Sequence, residues 1–295
     1  MTTALKLALI IAPFSIAGCS KGTYNQGNDG WDTGDDTATD NTDTGETDTT
    51  DTTDTTDTTD TTDTTTVDSG ECGNMWDPVD ITGWTKSYTI VEDGVYGSGF
   101  MSGAGQTWDG AGYEVYQIDE SVSLDTGEGY NMAVYISCDL DGEPGLFVSS
   151  WEGEYVGSTG PMNMQGTDNP GRKYLPAPDE VGNLGSWSYS YDLELATEGT
   201  SIGSVATSGT YVELGMVDVE IGGNTYSGYR LTNSYQMVFE GLGGFGAFVR
   251  DGYIDQIWVK GIGLFSEQHD SAFDDGTSSS MTKTLDSFTG LTPIQ

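Results

Sequence analysis

The chain has 295 residues and a formal charge of −38 at pH 7, with 47 acids against nine bases. Phosphate backbones and anionic headgroups are held by clustered Lys and Arg, so this balance excludes nucleic acid as a partner. It leaves divalent cations, and uncharged ligands such as glycan, peptide or lipid, open. The excess is spread along the chain: residues 20–71 hold 15 acids and one base, and residues 72–295 hold 32 acids and seven bases, a net charge near −25 for the latter.

Residues 1–18 have the layout of a secretory signal. Lys6 precedes an apolar run of about a dozen residues, too short for a membrane-spanning helix of roughly 20. Ile16-Ala17-Gly18-Cys19 resembles the bacterial lipobox, in which an aliphatic residue and two small ones precede an acylated cysteine. The resemblance implies that Cys19 carries the lipid and that the preceding segment is removed. Several acyl chains, at roughly 0.8 kcal/mol per buried CH₂, satisfy the requirement for stable anchoring. Ser20 follows Cys19, and by resemblance to Gram-negative sorting rules this favours the outer membrane.

Residues 19–71 contain almost no large apolar side chain apart from Tyr24 and Trp31. From Asp51 a three-residue Asp-Thr-Thr repeat sets in, matching neither helical nor strand periodicity. Nothing there can be buried to offset chain entropy, and like charges at every third position push the chain outward. The expectation is an acidic disordered stalk, with a flexible-coil span of roughly 40 Å and threonines open to O-glycosylation.

From Cys72 the composition changes, and short aromatic and β-branched runs are bounded by Gly, Asp and Asn. Predicted strands include Tyr88–Val91, Tyr113–Ile118, Asn131–Ser137, Leu146–Trp151, Ser186–Leu195, Tyr211–Val219, Thr225–Leu231, Tyr235–Phe239, Gly246–Val249 and Asp255–Val259. Ser188–Leu195 alternates polar and apolar side chains, as a strand with one wet face does. Gly222-Gly223 and Asp141-Gly142 mark hairpins. Residues 159–172 read as a long loop, and Ser271–Phe288 as too polar for a helix. The fold class is all-β, an antiparallel curved sheet, sandwich or open barrel spanning residues 72–295 as one globular domain.

Two segments carry a family resemblance. Lys173-Tyr174-Leu175-Pro176 through Val181-Gly182 to Trp187, and then Ile257-Trp258-Val259-Lys260-Gly261-Ile262-Gly263-Leu264-Phe265, resemble paired motifs of a broad, mostly uncharacterised group of β-rich bacterial envelope lipoproteins. The likeness covers about 173–268. At the central turn the chain has Gly222-Gly223-Asn224 where that group has Pro-Ala-Gly. The resemblance implies a curved antiparallel sheet and an envelope location, and no catalytic residues. Gly261 and Gly263 are read as a bend where side chains do not fit.

Candidate chemistry is sparse. With Cys19 lipidated, Cys72 and Cys138 form an even pair for an oxidising compartment; a bridge closing about 67 residues is worth roughly 4 kcal/mol in the chain-entropy model. Two cysteines and one histidine argue against structural zinc. Asp139, Asp141 and Glu143 around Gly142 are the best candidates for Ca²⁺, which wants six to eight oxygens, although the spacing is not that of an EF-hand. Gly199-Thr200-Ser201-Ile202-Gly203 matches a nucleophile elbow, but no helical pattern follows, and His269 reads as a solvated loop residue. Gly241–Gly246 matches the dinucleotide fingerprint without a βαβ unit around it, and reads as a glycine-rich turn. Trp187 and Trp258 are expected in the core; Trp108 and Trp151, beside loops, are candidates for an exposed ligand platform. The combined expectation is an outer-membrane, lipid-anchored, non-enzymatic protein that displays a binding or envelope-assembly domain. The competing expectations are a periplasmic carrier of an apolar ligand such as lipid, and a carbohydrate-binding or glycan-active surface protein.

Overall fold

The structure is a computed structural model that describes residues 76–79, 81–108, 114–140, 143–157, 160–177, 179–197, 200–240 and 247–294. Twelve antiparallel strands form a closed barrel: β1 (Thr85–Glu92), β2 (Val95–Trp108), β3 (Glu114–Leu124), β4 (Gly129–Leu140), β5 (Glu143–Gly157), β6 (Gly160–Pro176), β7 (Ser186–Thr197), β8 (Thr200–Ile221), β9 (Asn224–Glu240), β10 (Phe248–Val259), β11 (Gly263–Phe273) and β12 (Ser278–Thr289). Each strand pairs with its sequence neighbours, and β1 closes the ring on β12 from Thr85↔Thr289 to Glu92↔Met281. Closure satisfies both edges, which an open sheet would leave as unpaired N–H and C=O groups. The barrel therefore realises the all-β class in a fully closed form, beyond the sandwich or open barrel expected from sequence.

Period-two patterning sets the walls. Along β1 the buried residues Lys86, Tyr88, Ile90 and Glu92 alternate with Thr85, Ser87, Thr89 and Val91. The expected hairpin at Gly222-Gly223 is present, with φ of 59° and 81° between the paired Ile221 and Asn224. Positive φ at both central positions suits a type I′ turn, whose twist matches the flanking strands.

One reading is corrected. Residues 159–172 are not a crossing loop, since β6 runs from Gly160 and pairs with β5 on one side and β7 on the other. Glycine and proline weaken strand patterning, but neighbouring strands on both sides override local propensity. Ser271–Phe288, read as no helix, supplies the end of β11 and most of β12, where Ser278, Ser280, Thr282 and Thr284 are exposed and Ser279, Met281 and Lys283 are buried.

Much of the outer wall is polar, with exposed apolar side chains such as Tyr96, Leu214 and Met216 among it. Ser98, Ser123, Ser190, Glu194, Ser208 and Thr284 all point outward and are exposed. A membrane-spanning barrel presents an apolar band instead. The inner wall carries the core, with Trp84, Trp258, Tyr88, Tyr229, Phe239 and Ile136 all below 2 % exposed.

Candidate functional site

One end of the barrel is stoppered by the segment leading into it. Trp76, Asp77, Pro78 and Val79 are buried, and Trp76 lies against Tyr229 with ring centroids 5.3 Å apart. Lys86 Nζ donates to Asp77 Oδ1 at 3.1 Å, and Tyr174 OH donates to Asp77 Oδ2 at 3.3 Å. Trp84 Nε1 donates to the Pro78 carbonyl at 3.0 Å. The two segments that carry the sequence resemblance meet here: Tyr174 packs on Trp258 at 5.8 Å, and Gly263 lies directly under Asp77 and Lys86. Gly261 and Gly263, at φ 78° and 88°, form the bend expected of them in the β10–β11 connection.

Below this stopper the interior is filled by an ion and hydrogen-bond ladder. Lys283 Nζ donates to Glu120 Oε1 at 2.6 Å, and Tyr130 OH donates to the same oxygen at 3.0 Å. Gln256 Nε2 donates to Glu267 Oε2 at 2.6 Å, and Trp258 Nε1 donates to Gln256 Oε1 at 3.4 Å. Further down, Tyr235 OH and His269 Nε2 share a hydrogen bond at 2.8 Å, and Arg250 donates to Ser271 Oγ at 3.1 Å. His269 is thus a buried interior residue of β11 and not a solvated loop residue. An inward-facing histidine in a polar-looking strand is visible only once the barrel interior is known to be polar. Burial, and then Arg250, hold His269 well below its usual pKa, while burial brings Arg250 down to about 10.

The ladder sorts charge between inside and outside. The seven bases after Cys72 are Lys86, Arg172, Lys173, Arg230, Arg250, Lys260 and Lys283. All but Arg230 and Lys260 are buried. The wall that faces solvent is left almost purely anionic.

Glu92 closes the opposite end from within. It is 4 % exposed, its Oε1 has no hydrogen-bond partner, and burial followed by Asp93 and Glu128 raises its carboxyl to about 7. A raised folded pKa means the native state keeps a proton that the unfolded chain releases above about 4.5. Stability from this group is present in full below that value and is lost as pH rises through 7. Glu92→Gln is therefore expected to leave stability at pH 5 unchanged and to add about 1–3 kcal/mol at pH 8. Paired chemical-denaturation curves at the two pH values check this, and an equal effect at both would contradict it.

A hollow of about 690 Å³ lies outside the barrel, on the wall made by β2–β6. Register aligns its lining in two adjacent rows. One runs Phe100, Ser121, Asn131, Glu154, Asn163, and the other Ser102, Asp119, Ala133, Glu152, Gln165. A smaller hollow of about 250 Å³ continues it past Ser98, Ser123 and Val156. Beside the rows β2 is irregular at Gly103/Gly105 and β5 at Val148/Ser150, where Ser149 is skipped in the pairing with both β4 and β6, and bulges bend strands. Short side chains at Ser102, Ser121 and Ala133 leave the floor open. On its inner side Gly166 lets the Trp151 indole lie flat against the backbone, where a Cβ would collide with the ring. Gln117 Nε2 donates to Asp119 Oδ1 at 2.7 Å, and Tyr135 OH donates to Glu152 Oε1 at 2.9 Å. Burial, and then that bond to Glu152, push the Tyr135 phenol up to about 12.

The sequence candidates fare unevenly. Trp151 is 3 % exposed and faces inward, so it is a core residue and not an exposed platform. The side chain of Trp108 lies outside the described residues. Trp258 is core, and Trp187 is half-buried, stacked on Tyr211 at 4.9 Å. Glu143 accepts from Lys173 Nζ at 3.1 Å, which occupies one oxygen of the expected calcium ligand. Asp141 and the side chain of Asp139 lie outside the described residues, and among those that are described no three His, Cys, Asp or Glu converge on a metal position. Cys138 is buried and disulfide-bonded, while Cys19 and Cys72 lie outside the described residues. Ser201 is exposed near the start of β8, with no helix after it. The glycine motif at 241–246 is outside the described residues. The groove itself was missed, because its rows join residues up to about 60 positions apart that align only through strand register.

The molecule is therefore a closed twelve-stranded barrel with a packed, ion-laddered interior, a largely polar wall and an external groove. It is similar, at 11% identity and a TM-score of 0.42, to a protein of Bacteroides fragilis described as exported and of YmcC-like fold, covering 71% of this chain and 96% of that one. A Parabacteroides distasonis protein described as a lipoprotein is similar at 9% identity and a TM-score of 0.40, over 73% of this chain and 98% of that one. No protein-family model and no curated protein matches the chain.

Proposed function

We propose that this chain is a lipid-anchored outer-membrane protein that displays a non-enzymatic barrel on an acidic spacer and binds its partner in the groove on β2–β6. The observation that carries the reading is the position of that groove, outside a barrel whose interior is occupied by its own side chains. A carrier of an apolar ligand requires a hollow lined by aliphatic and aromatic groups. Here Trp84, Lys86, Tyr88, Lys283 and Trp258 fill the interior. The lipobox-like Ile16–Cys19 supports the anchor, and the Asp-Thr-Thr repeat supports the spacer.

Two measurements test this. Cys19→Ser is expected to abolish incorporation of labelled palmitate and to release the protein from the membrane fraction; retained label would refute the anchor. Hydrogen exchange of the full chain, with and without an outer-envelope preparation of the producing organism, is expected to slow at Phe100–Ser102 and Asn131–Ala133. Protection only elsewhere, or none, would refute the groove.

A further inference from the structure

We infer that the groove takes a sugar chain that carries no anionic group, an inference that rests on reading the groove as the working surface. Its two rows cross five strands at about 4.8 Å spacing, giving a slot roughly 19 Å long that suits an extended polymer better than a compact metabolite.

The groups along the slot are carboxylates and amides: Asn131, Glu154 and Asn163 alternate in one row, and Asp119 and Glu152 stand with Gln165 in the other. Carboxylates only accept, amides both donate and accept, and a sugar hydroxyl does both. Hydroxyl-to-carboxylate bonds are charge-assisted and therefore the stronger kind. At one end Phe100 is 44 % exposed, offering a ring face to the C–H face of a pyranose.

Charge narrows the class further. Among the described residues no Lys or Arg lines the groove, so phosphate, sulfate and uronate chains meet only repulsion there. The same repulsion disfavours the chain's own stalk, with Asp at every third position, as the occupant. A cation is disfavoured because Gln117 and Tyr135 already engage Asp119 and Glu152, and no metal-binding group of three is found among the described residues.

The test uses the full mature chain with cellohexaose, maltohexaose and chitohexaose as uncharged probes, a hyaluronan oligomer as the anionic probe and spermine as the polycation. Saturation-transfer NMR identifies binders, and calorimetry gives Kd. At least one uncharged hexamer is expected to bind. The double variant Phe100→Ala, Asn131→Ala should raise its Kd about ten-fold or more, with no change in Thr284→Ala, which lies on β12 outside the groove. Thermal melts show whether each variant is folded; if the double variant is not, Asn163→Ala replaces it. Failure of all three uncharged hexamers, equal binding by the groove variant, or displacement of the sugar by spermine would overturn the inference. Exchange protection at the groove without binding of any sugar probe would remove the ligand class and leave the groove reading standing. Absence of both would remove both.

Discussion

Lys283→Ala is expected to destabilise the barrel by about 3–5 kcal/mol, because it strands the Glu120 carboxylate at the centre of the interior. Lys283 and Glu120 are 1 % and 0 % exposed at their side chains and 2.6 Å apart, and they tie β12 to β3 across the barrel lumen. Tyr130 OH keeps one bond to Glu120, but a hydroxyl does not compensate a buried charge. The companion double variant, Lys283→Met with Glu120→Gln, removes both charges and keeps an acceptor for Tyr130. It should recover most of the loss, since the cost lies in the unpaired ion more than in the lost attraction. Urea unfolding of the two variants and the parent decides the matter. A cost below about 1 kcal/mol for Lys283→Ala would mean the interior admits enough water to solvate Glu120.

Gly263→Ala should be comparably damaging, through a different cause. Gly263 sits at φ 88°, where a Cβ alone costs roughly 1–2 kcal/mol. That Cβ would also fall on the Asp77 carboxylate and the Lys86 ammonium, so the stopper segment would have to leave its seat. Limited proteolysis separates the two contributions: a displaced stopper is cut before Val79 under conditions that spare the parent. Gly261→Ala serves as the comparison, since its Cβ meets the chain at Thr292 in the C-terminal segment and leaves Asp77 alone. If Gly263→Ala melts with the parent and resists cleavage, the bend is not what seats residues 76–79.

These two positions show what could be read from the chain beforehand. Gly261 and Gly263 were legible as a bend because glycine punctuates an otherwise apolar strand run, and Ser188–Leu195 was legible as a strand because its alternation is strict. Lys283 and Glu120 were not: a charged residue at an inward position breaks the apolar half of the pattern, and its partner lies 163 residues away. For the same reason β11 and β12 looked merely polar, although half their residues face a buried ladder. Closure was equally hidden, since Thr85 meets Thr289 only after ten other strands have been laid side by side. Of the candidate site, the residue types were visible as an excess of acids and amides. Their assembly into a slot depends on register and on irregularities in β2 and β5, which no single stretch of sequence encodes.

The placement of bases inside and acids outside also makes the barrel a colloid of one sign. At physiological ionic strength each molecule's field reaches about 8 Å beyond its surface before it is screened. Barrels crowded together therefore keep a moat of counterions between them, and sheet-to-sheet stacking, the usual hazard of β proteins, meets a standing electrostatic barrier. The five buried cations cannot relieve that barrier, because unfolding is required to bring them to the surface.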